Sequence, residues 1–272
     1  MGGLSKKAHL VHTLAREGKP TLVVESGNLL FETDAVPPAE LAAARIGAEG
    51  IVAAVRQMGV RFAGIGSRDL AGGIALLGKL HRPPDFHWLS LNLVDPATGR
   101  PLFTPLVHHQ AGGLRLAVLA VTDHARPPAG GALLPWRQVL PQAVDRVAGR
   151  ADFVLLLSNY SYAENREIAR TCAGIDLILQ SGHVAGNMRP IIFDRTLLAQ
   201  TDTRGRHLGV LDLTWQGHGP WRETTTGQAS LSGPQSSTFT NRFIALTPAL
   251  PDDPAMEALV RQTKARMRGQ AR

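Results

Sequence analysis

The sequence predicts an α/β protein, a four-layer α-β-β-α sandwich of two mixed sheets packed face to face with helices outside. Three observations predict it. Segments of helical spacing alternate with short apolar runs over residues 4–94 and again over 136–183. Short strand-like runs punctuated by turn signals lie between and after those stretches, so antiparallel strands join the α/β rhythm. Several apolar runs end in polar residues, and in α/β sheets ligands bind beyond the carboxyl ends of the strands.

The elements follow in order. In "LSKKAHLVHTLAREG", Leu4, Ala8, Val11 and Leu14 recur at spacings of three and four, which predicts a helix. "TLVVESG" predicts a buried strand, and "PPAELAAARIGAEGIVAAVRQMG" a long helix opening at its prolines. "FAGIGS" is the next strand, a short helical piece spans Leu70 to Leu80, and "HWLSLNL" is a further strand. Turn signals at Asp95 to Gly99 and Ala111 to Gly113 predict an antiparallel meander. The rhythm returns with the helix "PWRQVLPQAVDRVAGR", the strand "DFVLLLSN", the helix "SYAENREIARTCAG" and the strand "DLILQSGH". Short strands at "PIIFD", "TLLAQT", "HLGVLDLTW" and "TNRFIALTP" precede a last helix, "PAMEALVRQTKARMR". Residues 1–250 read as one large domain and 251–272 as a C-terminal helix with a basic tail.

Composition bounds the function. With 272 residues, 44% of them hydrophobic, the chain can bury a large core. No apolar run reaches the roughly 18–20 residues of a membrane span, and the N-terminus lacks the apolar stretch of a secretory signal. The single cysteine, Cys172, excludes an internal disulfide and a Cys-rich zinc site; it reads as a packed thiol at a helix end. The net charge of +7 invites a nucleic-acid partner, but the basic residues are dispersed and aromatics make up only 5%, which argues against one. The cluster from Arg261 to Arg272 reads as a solvated helix end. His9 and His12 are expected at the surface, and His108 and His109 on opposite faces of one strand.

Four polar tips, Glu25 to Asn28, Ser67 to Asp69, Ser158 with Asn159, and Ser181 to His183, are expected to converge. Their order in the chain resembles the calcineurin-like metallophosphoesterases, specifically the catalytic domain of the 5'-nucleotidases and UshA-like UDP-sugar hydrolases. "GGLSKK" resembles the family's Gly-Gly-Leu-x-(Arg/Lys)-(Arg/Lys), "ESGN" its Asp-x-Gly-Asp, "GSRD" its Gly-Asn-His-Asp, "SNYS" its Ser-His tip and "GHVA" its Gly-His-x-His. The resemblance implies a phosphoesterase fold and a two-metal phosphoryl site.

The departures from those motifs are as informative. Where the family carries a bridging Asp the chain has Asn28; Ser67 replaces a ligand Asn, Arg68 the catalytic His, Asn159 a ligand His and Ala185 the last His. Only Asp69 and His183 keep the family's residue types, and the family's Asp-x-His motif has no counterpart from Met1 onward. Two dications need anionic or imidazole ligands. The resemblance with these substitutions therefore implies a non-catalytic module that binds an anion or phospho-ligand, or serves structurally, with no cofactor. The candidate anion-binding residues are Asn28, Ser67, Arg68, Asn159 and His183. Arg68 can supply positive charge to an anion, or it can pair with Asp69 or another carboxylate and leave a vestigial pocket. The alternative is a phosphoric ester hydrolase with a mononuclear or atypical Mn, Zn or Mg site, using His183 and Asp69 with residues upstream of Met1. The expected partners are a phosphate-containing small molecule or a protein. The family's first strand lies at the centre of its fold, so the natural protein is expected to begin upstream or another strand to fill the gap. An upstream export signal would place it in the periplasm or cell envelope; otherwise the expectation is cytoplasmic.

Overall fold

The computed structural model describes residues 3–123, 128–181, 186–202, 205–217, 219–224 and 236–270. The first helix, α1 (Leu4–Ala15), buries Ala8 and Val11. A two-residue strand, β1 (Val24–Glu25), leads to a 3-10 turn at Pro38–Glu40 and the helix α2 (Leu41–Gln57), which buries Ala48, Val52 and Val55 along one face. Strand β2 (Phe62–Gly64), a 3-10 turn at Arg68–Gly72, helix α3 (Ile74–Leu80) and strand β3 (His87–Leu89) follow. Strands β1, β2 and β3 form a parallel three-stranded sheet.

The sequence predicts a buried strand at "TLVVESG"; β1 is instead short and half-buried, because it pairs only with β2 at the edge of its sheet. "HWLSLNL" divides into β3 and β4 (Leu93–Val94). The intervening Ser90 turns its hydroxyl onto the Leu93 N–H at 3.1 Å, which interrupts the extended run.

The large sheet has six strands. β5 (Leu106–Ala111) and β6 (Leu114–Val121) form the antiparallel hairpin expected from Ala111 to Gly113. β6 pairs in parallel with β8 (Phe153–Ser158), β8 with β9 (Leu177–Gln180), and β9 with β11 (Thr196–Gln200), while β10 (Met188–Phe193) closes the far edge antiparallel to β11. Between them, β7 (Ala132–Leu133) pairs with β4, and helices α4 (Trp136–Val147) and α5 (Tyr162–Thr171) cover the sheet's outer face. Ser161 caps α5 by accepting the Glu164 N–H at 3.2 Å. A third sheet joins β12 (His207–Thr214), β14 (Ser237–Ala245) and β13 (Trp221–Glu223), and α6 (Pro254–Gln270) packs against α2 and α1.

Three cores separate four layers. Val11, Val52, Val55, Trp88 and Met256 join α1, α2 and α6 to the sheet of β1 to β3. Phe62, Val118, Leu155, Leu157, Trp221 and Phe239 fill the space between sheets. Trp136, Leu140, Leu156, Ile168 and Ile178 seat α4 and α5 on the six-stranded sheet. This is the predicted α-β-β-α sandwich, and it brings the carboxyl ends of β1, β2, β6, β8 and β9 to one rim. Among the described residues no helix is long and apolar enough to cross a membrane.

His12, expected at the surface, is half-buried. Its Nδ1 lies 3.0 Å from Asp253 Oδ2 and its Nε2 3.3 Å from the Gln57 carbonyl, so it ties α1 to the ends of α6 and α2.

Candidate functional site

The rim is organised by Asp69, which is fully buried. Its Oδ2 accepts the backbone N–H groups of Asn28 and Gly66, each at 2.8 Å. Its Oδ1 accepts those of Leu29 at 2.7 Å and Leu30 at 2.8 Å. Four donors occupy the roughly four lone-pair directions of a carboxylate, leaving none for a metal or substrate. Burial pushes the Asp69 carboxyl up to about 6, and the four N–H groups, favouring the ionised form, pull against that rise. Asp69 thus folds residues 28–30 over the tip of β2. The turn requires a positive φ at Gly27 (113°) and at Asn28 (58°), and Asn is among the few non-glycine residues that adopt it readily.

Asn28 joins three tips. Its Oδ1 accepts the Arg68 N–H at 3.1 Å and its Nδ2 donates to the Ser181 carbonyl at 3.2 Å. Ser67 turns its hydroxyl away to Asp34 Oδ1 at 2.8 Å. The Arg68 guanidinium makes no hydrogen bond or ion pair with a described residue, and Arg68 does not pair with Asp69, whose partners are all backbone N–H groups. The Ser181 hydroxyl is buried and has no hydrogen-bond partner among the described residues. Glu25, at the tip of β1, is ion-paired with Lys7.

The neighbouring tips are tied together by neutral groups. Asn159, fully buried, accepts the Asp123 N–H at 2.6 Å and donates to the Asp123 carbonyl at 2.9 Å, clamping this residue's backbone from both sides. Thr122 donates to the Ile65 carbonyl at 2.8 Å and meets Ser90 Oγ at 2.8 Å, while Asn92 accepts the Thr122 N–H and donates to the Thr122 carbonyl. A buried chain runs from Ser158 through Asn165 and Gln180 to Gln200, with steps of 2.7 to 2.8 Å. Each of these amides and hydroxyls satisfies a buried backbone group or another side chain, as a low-dielectric rim demands.

The structure therefore gathers Asn28, Ser67, Arg68 and Asp69 at one point beside Ser181, with Asn159 clamped on the next tip. His183 and Ala185 lie outside the described residues. The sequence reading missed Ser90, Asn92, Thr122 and Asp34; the alternation of polar and apolar residues in "LSLNL" was the available signal for the first two. Among the described residues, no three His, Cys, Asp or Glu side chains come together in a way that could hold a metal ion. Cys172 is buried at the end of α5, and burial, with Asp145 nearby, pushes its thiol up to about 11.

No family model matches the chain. It is 24% identical over 209 residues to an uncharacterized metallophosphoesterase, YunD, of Bacillus subtilis (strain 168), covering 73% of this chain and 43% of YunD. The sulfate thiohydrolase SoxB of Thermus thermophilus superposes with a TM-score of 0.75 at 24% identity, over 98% of this chain and 47% of SoxB. A 5'-nucleotidase precursor from Thermus thermophilus gives a TM-score of 0.75 at 16% identity, over 98% of this chain and 54% of the nucleotidase. The chain thus spans about half the length of these proteins, and the likeness is one of fold.

Proposed function

We propose that this chain, which has the calcineurin-like, 5'-nucleotidase-type phosphoesterase fold, is a non-catalytic module that binds a tetrahedral oxyanion at its strand tips without a two-metal centre. The observation that carries this reading is the Arg68 guanidinium: at a rim where Asn28, Ser67, Asp69 and Asn159 are committed to backbone or to another side chain, this cation is uncommitted among the described residues. Guanidinium binds phosphate and sulfate in a bidentate manner, and the buried, unpartnered Ser181 hydroxyl adds a donor on the other side of Asn28.

Among the described residues the donor set is a poor match for two dications. Asn28 and Asn159 are neutral and hydrogen-bonded through both amide atoms, Ser67 is turned to Asp34, and Asp69 has no lone pair to give. Arg68 in place of an imidazole adds charge that would repel a cation and attract an anion. SoxB is described as a sulfate thiohydrolase, so sulfate belongs beside phosphate among the anions to try.

Calorimetric titration with phosphate and with sulfate, wild type against Arg68→Ala, tests the reading. Loss of roughly tenfold or more in affinity on removing the guanidinium is expected; equal affinities would overturn it. Metal analysis of the purified protein with hydrolysis of a generic phosphate ester tests the absence of catalysis. Stoichiometric metal with turnover abolished by His183→Ala would replace this reading with that of a hydrolase using an atypical site.

A further inference from the structure

A second groove lies at the opposite end of β2 from Ser67 and Arg68. It has a volume of about 380 Å³ and runs between the end of α1, the segment 21–23, the loop after α2 and strand β5. Its floor is apolar: Val11 and Met58 are 5% and 2% exposed, and the half-buried Leu22 and Val23 flank them.

Two nitrogen-bearing groups stand at one end. Arg61 is exposed, forms no ion pair with a described residue, and donates a single long hydrogen bond of 3.4 Å to the Pro84 carbonyl. His109, half-buried on β5, sets its ring edge-on against Phe62 with centroids 5.2 Å apart, and its ring nitrogens make no hydrogen bond with a described residue. Burial and the Arg61 charge both hold His109 below the ordinary histidine range, so at neutral pH it is an uncharged imidazole. Among the described residues no Asp or Glu lines the groove. His12, which also borders it, is engaged by Asp253 and the Gln57 carbonyl.

We propose that this groove binds a small amphiphilic monocarboxylate, its head between Arg61 and His109 and its alkyl chain on Val11, Leu22, Val23 and Met58. One guanidinium offsets one negative charge and takes a carboxylate through two parallel N–H bonds. The imidazole adds one donor. A dianionic phosphate would find a single cation there, whereas a monocarboxylate matches it. The volume falls within the roughly 300–1,000 Å³ of small-molecule sites, and an apolar floor with a few polar groups at one end is their usual make-up. An alkyl chain laid on this floor gains with each methylene removed from water, so both ends of the ligand contribute.

The test uses the full chain and octanoate, with acetate as the head alone and octanol as the tail alone, all below micellar concentrations. Binding is followed by calorimetry and by the His109 ring resonances across a pH series. Octanoate is expected to bind roughly tenfold or more tightly than either control. It should also move the His109 titration upward, because a carboxylate beside the ring stabilises the imidazolium. Arg61→Gln, at an exposed position, should keep the fold and lose that preference over octanol. Octanol binding as tightly as octanoate, acetate binding as tightly as octanoate, or an unmoved His109 titration on octanoate binding would each overturn the proposal. The oxyanion site at Arg68 is independent of every one of these readouts.

Discussion

Asp69 and Asn28 are joined through a backbone N–H and not through their side chains: Asp69 Oδ2 accepts the Asn28 N–H at 2.8 Å, which leaves the Asn28 amide to link Arg68 and Ser181. The acid that resembles a phosphoesterase motif therefore acts as a clasp on the backbone of residues 28–30.

The clasp has a pH signature. The native Asp69 carboxyl sits at about 6, above its ordinary value of 3.8, chiefly through burial. Between those values the native state holds a proton that the unfolded chain has released, so this group's stabilisation is present below about 3.8 and is lost as pH rises through 6. Asp69→Asn removes the titration. The stability gap between wild type and variant should widen by about 2 kcal/mol from pH 7.5 to pH 4.5, measured by urea unfolding at both pH values. A gap that stays constant would mean that the clasp does not titrate in this range.

Asn159→Ala strips the Asp123 N–H and carbonyl of their side-chain partner at a fully buried position. A half-buried donor and acceptor left without that partner should cost about 2 kcal/mol. Asn159→His, which restores the residue type of the resembled motif, cannot reproduce a planar amide's paired donor and acceptor and should lose a similar amount. Denaturant midpoints with an unchanged slope are the measurement; a His variant as stable as wild type would show that the clamp contributes little.

The layer order is legible in the sequence because helical and strand periodicities are properties of neighbouring residues, and α2, α4 and β8 declare theirs plainly. The content of the rim is legible only in part. That Ser67, Arg68 and Asp69 end a strand follows from "FAGIGSRDL"; that Asp69 faces the backbone of residues 28–30 depends on contacts 39 to 41 positions away. β1 reads as more buried than it is because Val23 and Val24 report hydrophobicity and not the number of neighbouring strands. His12 reads as a surface residue because its two acceptors, Asp253 and the Gln57 carbonyl, lie on distant elements.

Cys172 should be chemically silent in the native protein. With its thiol pushed up to about 11, the thiolate fraction at pH 8 is about a thousandth, and the residue is only 3% exposed. Its reaction with a chromogenic disulfide at pH 8 should run at least about a hundredfold slower than in denaturant. Equal rates in the two states would contradict the buried placement.

Gly66 leaves room for Asn28. A Cβ built on Gly66 would lie 2.5 Å from the Asn28 nitrogen and closer still to Asn28 Oδ1, distances that backbone and a bonded amide cannot both relieve. Because the Gly66 N–H also feeds Asp69, the β2 tip cannot simply back away. Gly66→Ala should therefore cost about 3 kcal/mol and displace the amide that links Arg68 to Ser181. Anion affinity should fall with it even though Arg68 is intact. Calorimetry on Gly66→Ala at a temperature where it remains folded separates the two effects: wild-type affinity in a destabilised variant would mean that the Asn28 bridge does not position the guanidinium. Weakened affinity comparable to that of Arg68→Ala would identify Asn28 as the residue that sets the site's geometry.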